Sequence, residues 1–277
     1  MKHFFDMLNQ EIYPYTEFIS LRRLFEEKFY YIDPIIGYSL KEIINQNVFM
    51  KLSFRGSYLT IDSLEENLNF VDGIFAETKF DLNDLFCYCE YLNAILRESM
   101  YELEKYPNAI ERIETIFQNI NFILEKTNHE WYVIPENYRS IIIEKNEIAD
   151  AATSLSENEN LKSNIQQYLN YSNKGDLENK RNILTALARE IEPILNSNIL
   201  SRNNFKYLES DLGNLLNNFH IRHNNVEGTK VSKILENLTD SELEEWYDKT
   251  YYLIISTIII KKTIEINQEL KEINSKK

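Results

Sequence analysis

Thr239-Asp240-Ser241-Glu242-Leu243-Glu244-Glu245-Trp246-Tyr247 opens the stretch that decides the fold. A threonine followed three residues later by glutamate is a capping box, in which each side chain satisfies the other's backbone N–H at a helix start. Downstream, Leu243, Trp246, Tyr247, Leu253, Ile254, Ile258 and Ile259 recur at helical spacing, and the run continues for some 30 residues towards Leu270. These apolar positions surround the helix instead of lining one side of it. The spacing therefore predicts a helix central to a bundle or buried in a dimer. Its most apolar part, Leu253 to Ile260, falls far short of the ~20 residues a bilayer requires.

Outward from this helix, the same period recurs. Leu208 to Phe219 reads as an amphipathic helix within 203–219. Asp176 caps a helix to about Asn196, with Ile183, Leu184, Leu187, Ile191, Ile194 and Leu195 inward and Pro193 expected to kink or end the last turn. Helices are expected at 146–155 and 157–172, closed by Asn173-Lys174-Gly175, where glycine suits a left-handed cap. Asp81 to Leu103 carries one stripe, Leu82, Leu85, Phe86, Cys89, Leu92, Leu96 and Met100. Pro107 is expected to open the next helix, with Ile113, Ile116, Ile120, Ile123 and Leu124 inward, completing a helical hairpin. Ser39-Leu40-Lys41-Glu42 is a second capping box, and residues 3–32 read as one or two helices broken near Pro14 and stopped by Asp33-Pro34. The region from Met50 to Lys79 reads as irregular.

One segment differs. Trp131-Tyr132-Val133-Ile134 and Arg139-Ser140-Ile141-Ile142-Ile143 are β-branched and aromatic runs around Pro135-Glu136-Asn137-Tyr138, the pattern of a β-hairpin. The expected fold class is all-α, a helical bundle with one small β-hairpin near 130–145. Residues 1–128 form an N-terminal helical region, 129–145 a hairpin connector and 146–277 a C-terminal helical domain.

Composition agrees with helices. Six glycines and five prolines in 277 residues are too few for a turn-rich all-β fold, and 18 tyrosines with 15 phenylalanines supply an ample core. A net charge of −14 disfavours a broad nucleic-acid-binding face, so any RNA contact must be a local basic pocket. Cys87 and Cys89 sit two apart on a helix and point to different sides, and no disulfide framework exists. With no apolar core of a signal peptide at Met1 to Asp6, the expectation is a cytoplasmic protein with no membrane partner.

Several chemical signatures are missing: a glycine-rich phosphate loop, a Gly-x-Ser-x-Gly elbow and a His-Glu-x-x-His helix. His3 and His129 are isolated, so neither a metal site nor a cofactor is expected. Acidic runs such as Glu242-Glu244-Glu245 read as solvated helix faces. Functional side chains concentrate between two helices, in Phe219-His220-Ile221-Arg222-His223-Asn224-Asn225-Val226-Glu227-Gly228-Thr229-Lys230. A guanidinium holds two phosphate oxygens, and an imidazole near its natural pKa moves a proton to or from a ribose hydroxyl or leaving oxygen. Arg222, His223 and His220 are thus the catalytic candidates, with Asn224, Asn225, Glu227 and Lys230 as binding or orienting groups. The alternative is that Arg222 and His223 satisfy carbonyls at a helix end while Asn224-Asn225 forms a turn.

Gly175 to Lys262, about a third of the chain, resembles the HEPN superfamily, in particular its abortive-infection and phage-defence forms. The likeness runs through Gly175-Asp176-Leu177, Lys180-Arg181-Asn182-Ile183-Leu184, Leu187-Ala188-Arg189-Glu190-Ile191-Glu192-Pro193-Ile194-Leu195, Leu215-Leu216-Asn217-Asn218-Phe219, Ile221-Arg222-His223-Asn224-Asn225 and Glu242-Leu243-Glu244-Glu245-Trp246-Tyr247-Asp248. The resemblance implies an all-α bundle, a homodimer and a metal-independent RNase with an Arg, a polar residue, and a histidine a few residues on. Arg222 matches the first position and His223 the second. No histidine follows His223, so the acid/base is His223 or His220 in a variant geometry, or is absent. Two functions therefore stay open. One is a defence effector that cuts RNA, triggered by a phage-derived or host protein; the other is a non-catalytic HEPN-like interaction or ligand-sensing protein.

Overall fold

The computed structural model describes residues 11–70, 80–219, 221 and 237–275. Among them lie eleven α-helices and two small antiparallel hairpins, so the all-α class with a β-hairpin near 130–145 holds. The chain divides into two compact units, residues 1–142 and 143–277. No described helix is long and apolar enough to cross a membrane.

In the first unit, α1 (Pro14–Glu26) starts on its proline, whose fixed φ suits a first turn. It ends six residues before Ile32. Tyr30–Tyr31 (β1) pairs instead with Gly37–Tyr38 (β2), a second hairpin that the sequence reading folded into the helix. The reversal is set by Asp33, whose carboxylate accepts the N–H groups of Ile35 and Ile36 at 2.8 and 2.7 Å. Those two bonds hold its pKa below the ordinary value. Ser39 caps α2 (Leu40–Asn47) with the expected reciprocal box. The stretch expected to be irregular holds α3 (Ile61–Asn67), boxed by Thr60 and Ser63, while its residues 71–79 lie outside the described residues.

The centre of this unit is α4 (Leu82–Leu103), capped by Asp81. Beyond the expected stripe it also buries Tyr88, Tyr91, Asn93, Ile95 and Ser99, because α1 and α2 both pack against it. α5 (Ala109–Lys126) starts two residues after Pro107, on Asn108 in the left-handed region (φ +64°), so the proline precedes the helix and does not open it. Arg112 of α5 donates to Leu24 O at 2.6 Å and pairs with Glu27 at 3.1 Å, closing the carbonyl end of α1. Lys41 sits among three carboxylates, Glu26, Asp62 and Glu65, at 2.8, 2.8 and 2.6 Å. Burial pushes the Glu65 carboxyl up, while Lys41 and the Tyr91 hydroxyl, which donates at 2.9 Å, hold it back. Burial alone would lower Lys41, but its three acceptors outweigh it and raise the ammonium above its ordinary value.

β3 (His129–Val133) and β4 (Ser140–Glu144) make the expected hairpin, and the division between the units falls within β4. In the second unit, Ile143 bridges to Asn170. α6 (Glu147–Leu155) and α7 (Glu159–Tyr168) are capped by Asn146 and Asn158, and Gly175 takes the left-handed conformation (φ +80°) after a short 3-10 turn. α8 (Leu177–Asn196), capped by Asp176, runs three residues past Pro193. α9 (Ile199–Arg202) and α10 (Lys206–Asn218) lead to the candidate segment, and α11 (Asp240–Ser275) follows it. α11 is the spine: Tyr247, Thr250, Tyr251, Ile254, Ile255, Thr257 and Ile258 are buried under α6, α8 and α10.

The Tyr88 hydroxyl is buried with no hydrogen-bond partner. Burial, and then the charges of Glu65 and Glu26, raise its pKa well above 10.0; burial does the same at Tyr91. Both phenols keep their protons when folded and lose them near pH 10 when unfolded, so the folded state binds more protons there and stability falls as pH rises. Tyr88→Phe is expected to be neutral or stabilising by up to about 1 kcal/mol at pH 7. It is also expected to flatten the alkaline loss by up to ~1.4 kcal/mol per pH unit. Urea unfolding of the full chain at pH 8, 10 and 11 measures both; an unchanged alkaline slope would contradict this account.

Candidate functional site

The segment between α10 and α11 carries every candidate residue, and His220, Arg222, His223, Asn224, Asn225, Glu227 and Lys230 all lie outside the described residues. The described residues on either side define how the chain enters and leaves it. α10 ends with the Phe219 N–H donating to Leu215 O at 3.0 Å. The Phe219 ring packs on Trp246 of α11, with centroids 5.3 Å apart and planes 30° from parallel. Ile221 is 1 % exposed, and its carbonyl accepts the Thr185 hydroxyl of α8 at 2.8 Å. α8, α10 and α11 thus meet at Phe219 and Ile221. A hydroxyl that would otherwise bond only back along α8, to Arg181 O at 2.8 Å, is shared with this carbonyl.

On the exit side, Thr239 N–H and hydroxyl both reach a Glu242 carboxylate oxygen at 2.8 Å, and Glu242 N–H returns to the Thr239 hydroxyl at 3.3 Å. This is the capping box read from the sequence. The bonds from Thr239 lower the pKa of Glu242. Two cations stand near the entry. Arg181 acts electrostatically on Tyr247, and Lys249 lies 4.6 Å over the Trp246 ring while pairing with Glu245 at 2.7 Å.

A polar network joins α7, α8 and α11, and it includes Glu244, which the sequence reading placed on a solvated helix face. Lys180 of α8 is only 7 % exposed, and its ammonium lies 2.8 Å from Glu244 and 2.7 Å from Asp248 of α11. Tyr168 of α7 donates to the same Asp248 oxygen at 2.8 Å, sits 5.4 Å under the Lys180 ammonium, and stacks on Tyr251 at 4.2 Å. Glu244 also accepts the N–H of Gly175 at 2.9 Å. Partial burial pushes Glu244 up, but the Gly175 N–H and Lys180 outweigh it and leave its pKa lowered. Burial, then Asp248, raises Tyr168, so its phenol stays protonated. Glu244 is therefore partly buried on Lys180, whereas its neighbour Glu245 is exposed. The spacing of Glu244 and Asp248, one helical turn apart, was legible; that a lysine 68 residues earlier lies between them was not.

No group of three His, Cys, Asp or Glu side chains able to hold a metal occurs among the described residues. His129 packs on Phe86 at 4.4 Å, with its Nδ1 2.7 Å from Thr127 O. No protein-family model matches the chain, and neither a curated protein nor a solved structure is detectably similar to it.

Lys180→Met leaves Glu244 and Asp248 facing an uncharged neighbour. Both are partly solvated, so the expected loss is about 1–3 kcal/mol in urea unfolding at pH 7. Glu244's lowered pKa contributes stability that is present above its ordinary 4.5 and disappears as pH falls through the folded value. The acid-induced loss seen in the parent chain should accordingly shrink in Lys180→Met, and a loss of equal size at pH 7 and pH 3 would contradict the pairing.

Proposed function

We propose that the C-terminal helical unit is a HEPN-like domain and that the protein is a phage-defence effector of the abortive-infection kind, acting as a metal-independent ribonuclease. The observation that supports this best is the anchoring of Ile221. Its buried side chain and its bond to Thr185 fix the carbonyl that immediately precedes Arg222 in the chain. Electrostatic catalysis depends on such pre-organisation, because donors held in place cost no reorganisation as charge develops. Arg181 of α8, one turn before Thr185, adds positive charge near Tyr247, and a chain of net charge −14 needs such local basic groups to attract RNA.

In this reading Arg222 holds the phosphate oxygens. His223, or His220, takes the proton of the ribose 2′-hydroxyl as that oxygen bonds to phosphorus and the 5′-oxygen leaves. Asn224, Asn225, Glu227 and Lys230 orient the strand, and a phage-derived or host protein triggers cutting. The second reading, a non-catalytic interaction or ligand-sensing protein, is favoured by the lack of any histidine after His223.

Expression of the protein is expected to slow growth and fragment RNA. Arg222→Ala should lower purified activity on tRNA or mRNA by roughly 10²–10³-fold with an unchanged melt. Intact RNA with the parent protein, together with undiminished toxicity of Arg222→Ala, would sink the ribonuclease reading in favour of the second.

A further inference from the structure

A cleft of about 590 Å³ opens on the second unit, where the α6–α7 corner, the last turns of α8, the start of α9 and one face of α11 come together. Every residue that lines it is described and lies in that unit. Small-molecule sites commonly measure about 300–1,000 Å³, so the size is ordinary for one. Leu161 of α7 and Ile258 of α11, both buried, form its floor. Leu155, Ile194 and Ile199, each half-buried, form its sides. This apolar lining is aliphatic throughout. No described aromatic ring belongs to it, so a nucleobase has nothing to stack on. A hydrocarbon chain, which needs only non-directional apolar contact, is the body that such walls suit.

The polar groups decide what that chain carries. Lys261 and Lys262 line the cleft one turn along α11 from Ile258, and Glu265 follows on the same face. The two lysines share that one carboxylate: Lys261 lies 2.9 Å from one Glu265 oxygen, and Lys262 3.8 Å from the other. Each ammonium carries three donors, and two ammoniums against one carboxylate leave a positive charge unmatched. Lys262 is the more loosely held and 37 % exposed, so it can turn to a second acceptor. The remaining carboxylates of the lining are poorly placed to cancel it. Glu190 is engaged by the Asn158 amide at 2.5 Å, and Glu157 is exposed on the α6–α7 corner, where water and salt screen it. We propose that the cleft binds a single-chain aliphatic carboxylate of medium length. Its hydrocarbon lies along Leu161, Ile194, Ile199 and Ile258, and its carboxylate takes the donors that Lys261 and Lys262 do not spend on Glu265. The lining includes none of the candidate residues between Phe219 and Lys230, so this binding stands independently of the ribonuclease reading.

Isothermal titration calorimetry of the full chain with octanoate, nonanoate and decanoate, each below its micellar concentration, tests it. Saturable binding of one decanoate per chain is expected, with a dissociation constant on the order of 0.1 mM. Each added methylene should tighten binding by up to about fourfold. Decylamine, the same chain with a cationic head, should bind at least about tenfold more weakly. Lys261→Met with Lys262→Met keeps both stems, removes both ammoniums and leaves Glu265 facing the head group. That variant should lose at least about tenfold in decanoate affinity and should now prefer decylamine, a reversal that mere loosening of the fold would not produce. Ser197→Trp, at an exposed position in the lining, fills the cleft and should abolish binding of both probes with an unchanged melt. A parent chain with no saturable decanoate binding up to a few millimolar, or one that prefers the amine, would overturn the proposal. So would decanoate binding undiminished in either variant, which would mark adventitious association elsewhere on the surface.

Discussion

A lysine ammonium held away from bulk water between two carboxylates organises the C-terminal unit. Lys180 on α8 meets Glu244 and Asp248 on α11, and Asp248 in turn accepts from Tyr168 on α7. Three helices that hydrophobic burial alone would let slide along one another are tied at one point. The tie lies one turn from Tyr247 and Tyr251, which lead into the apolar spine. Apolar area supplies most of the attraction but is non-directional. Ion pairs with fixed geometry choose the register.

That register reaches the candidate segment. Trp246 is two residues from Glu244 and two from Asp248, and Phe219 packs on it. Thr185, five residues along α8 from Lys180, carries the hydroxyl bonded to Ile221. The polar tie and the anchor before Arg222 thus use the same two helices on successive turns. Pre-organisation at the segment's entry is inherited from the bundle's own packing. The N-terminal unit solves a related problem with Lys41 among Glu26, Asp62 and Glu65, where α1, α2 and α3 meet.

Errors in reading the helix ends have local causes. Lys28 to Ile32 continues the apolar spacing of α1, but Phe29, Tyr30 and Tyr31 suit a strand equally well, and the Asp33 turn gives that strand a partner. Pro107 resembles a first-turn proline; the left-handed Asn108 after it moves the helix start to Ala109. The capping boxes at Ser39 and Thr239 and the cap at Asp176 fall where they were read, because a cap is complete within four residues.

The sequence by itself determined where most of the long helices lie, that the last of them is apolar on too many sides to lie on a surface, and that Arg222 and His223 stand together between two helices. These are properties of neighbours along the chain, carried by period, caps and turns. Only the tertiary structure decided that Glu244 is partly buried against Lys180 of another helix while Glu245 stays exposed, that Thr185 fixes Ile221, and that the apolar spacing of α11 outruns its own core. The energy of a charge or a methyl group depends on what covers it, and the covering groups come from helices tens of residues away.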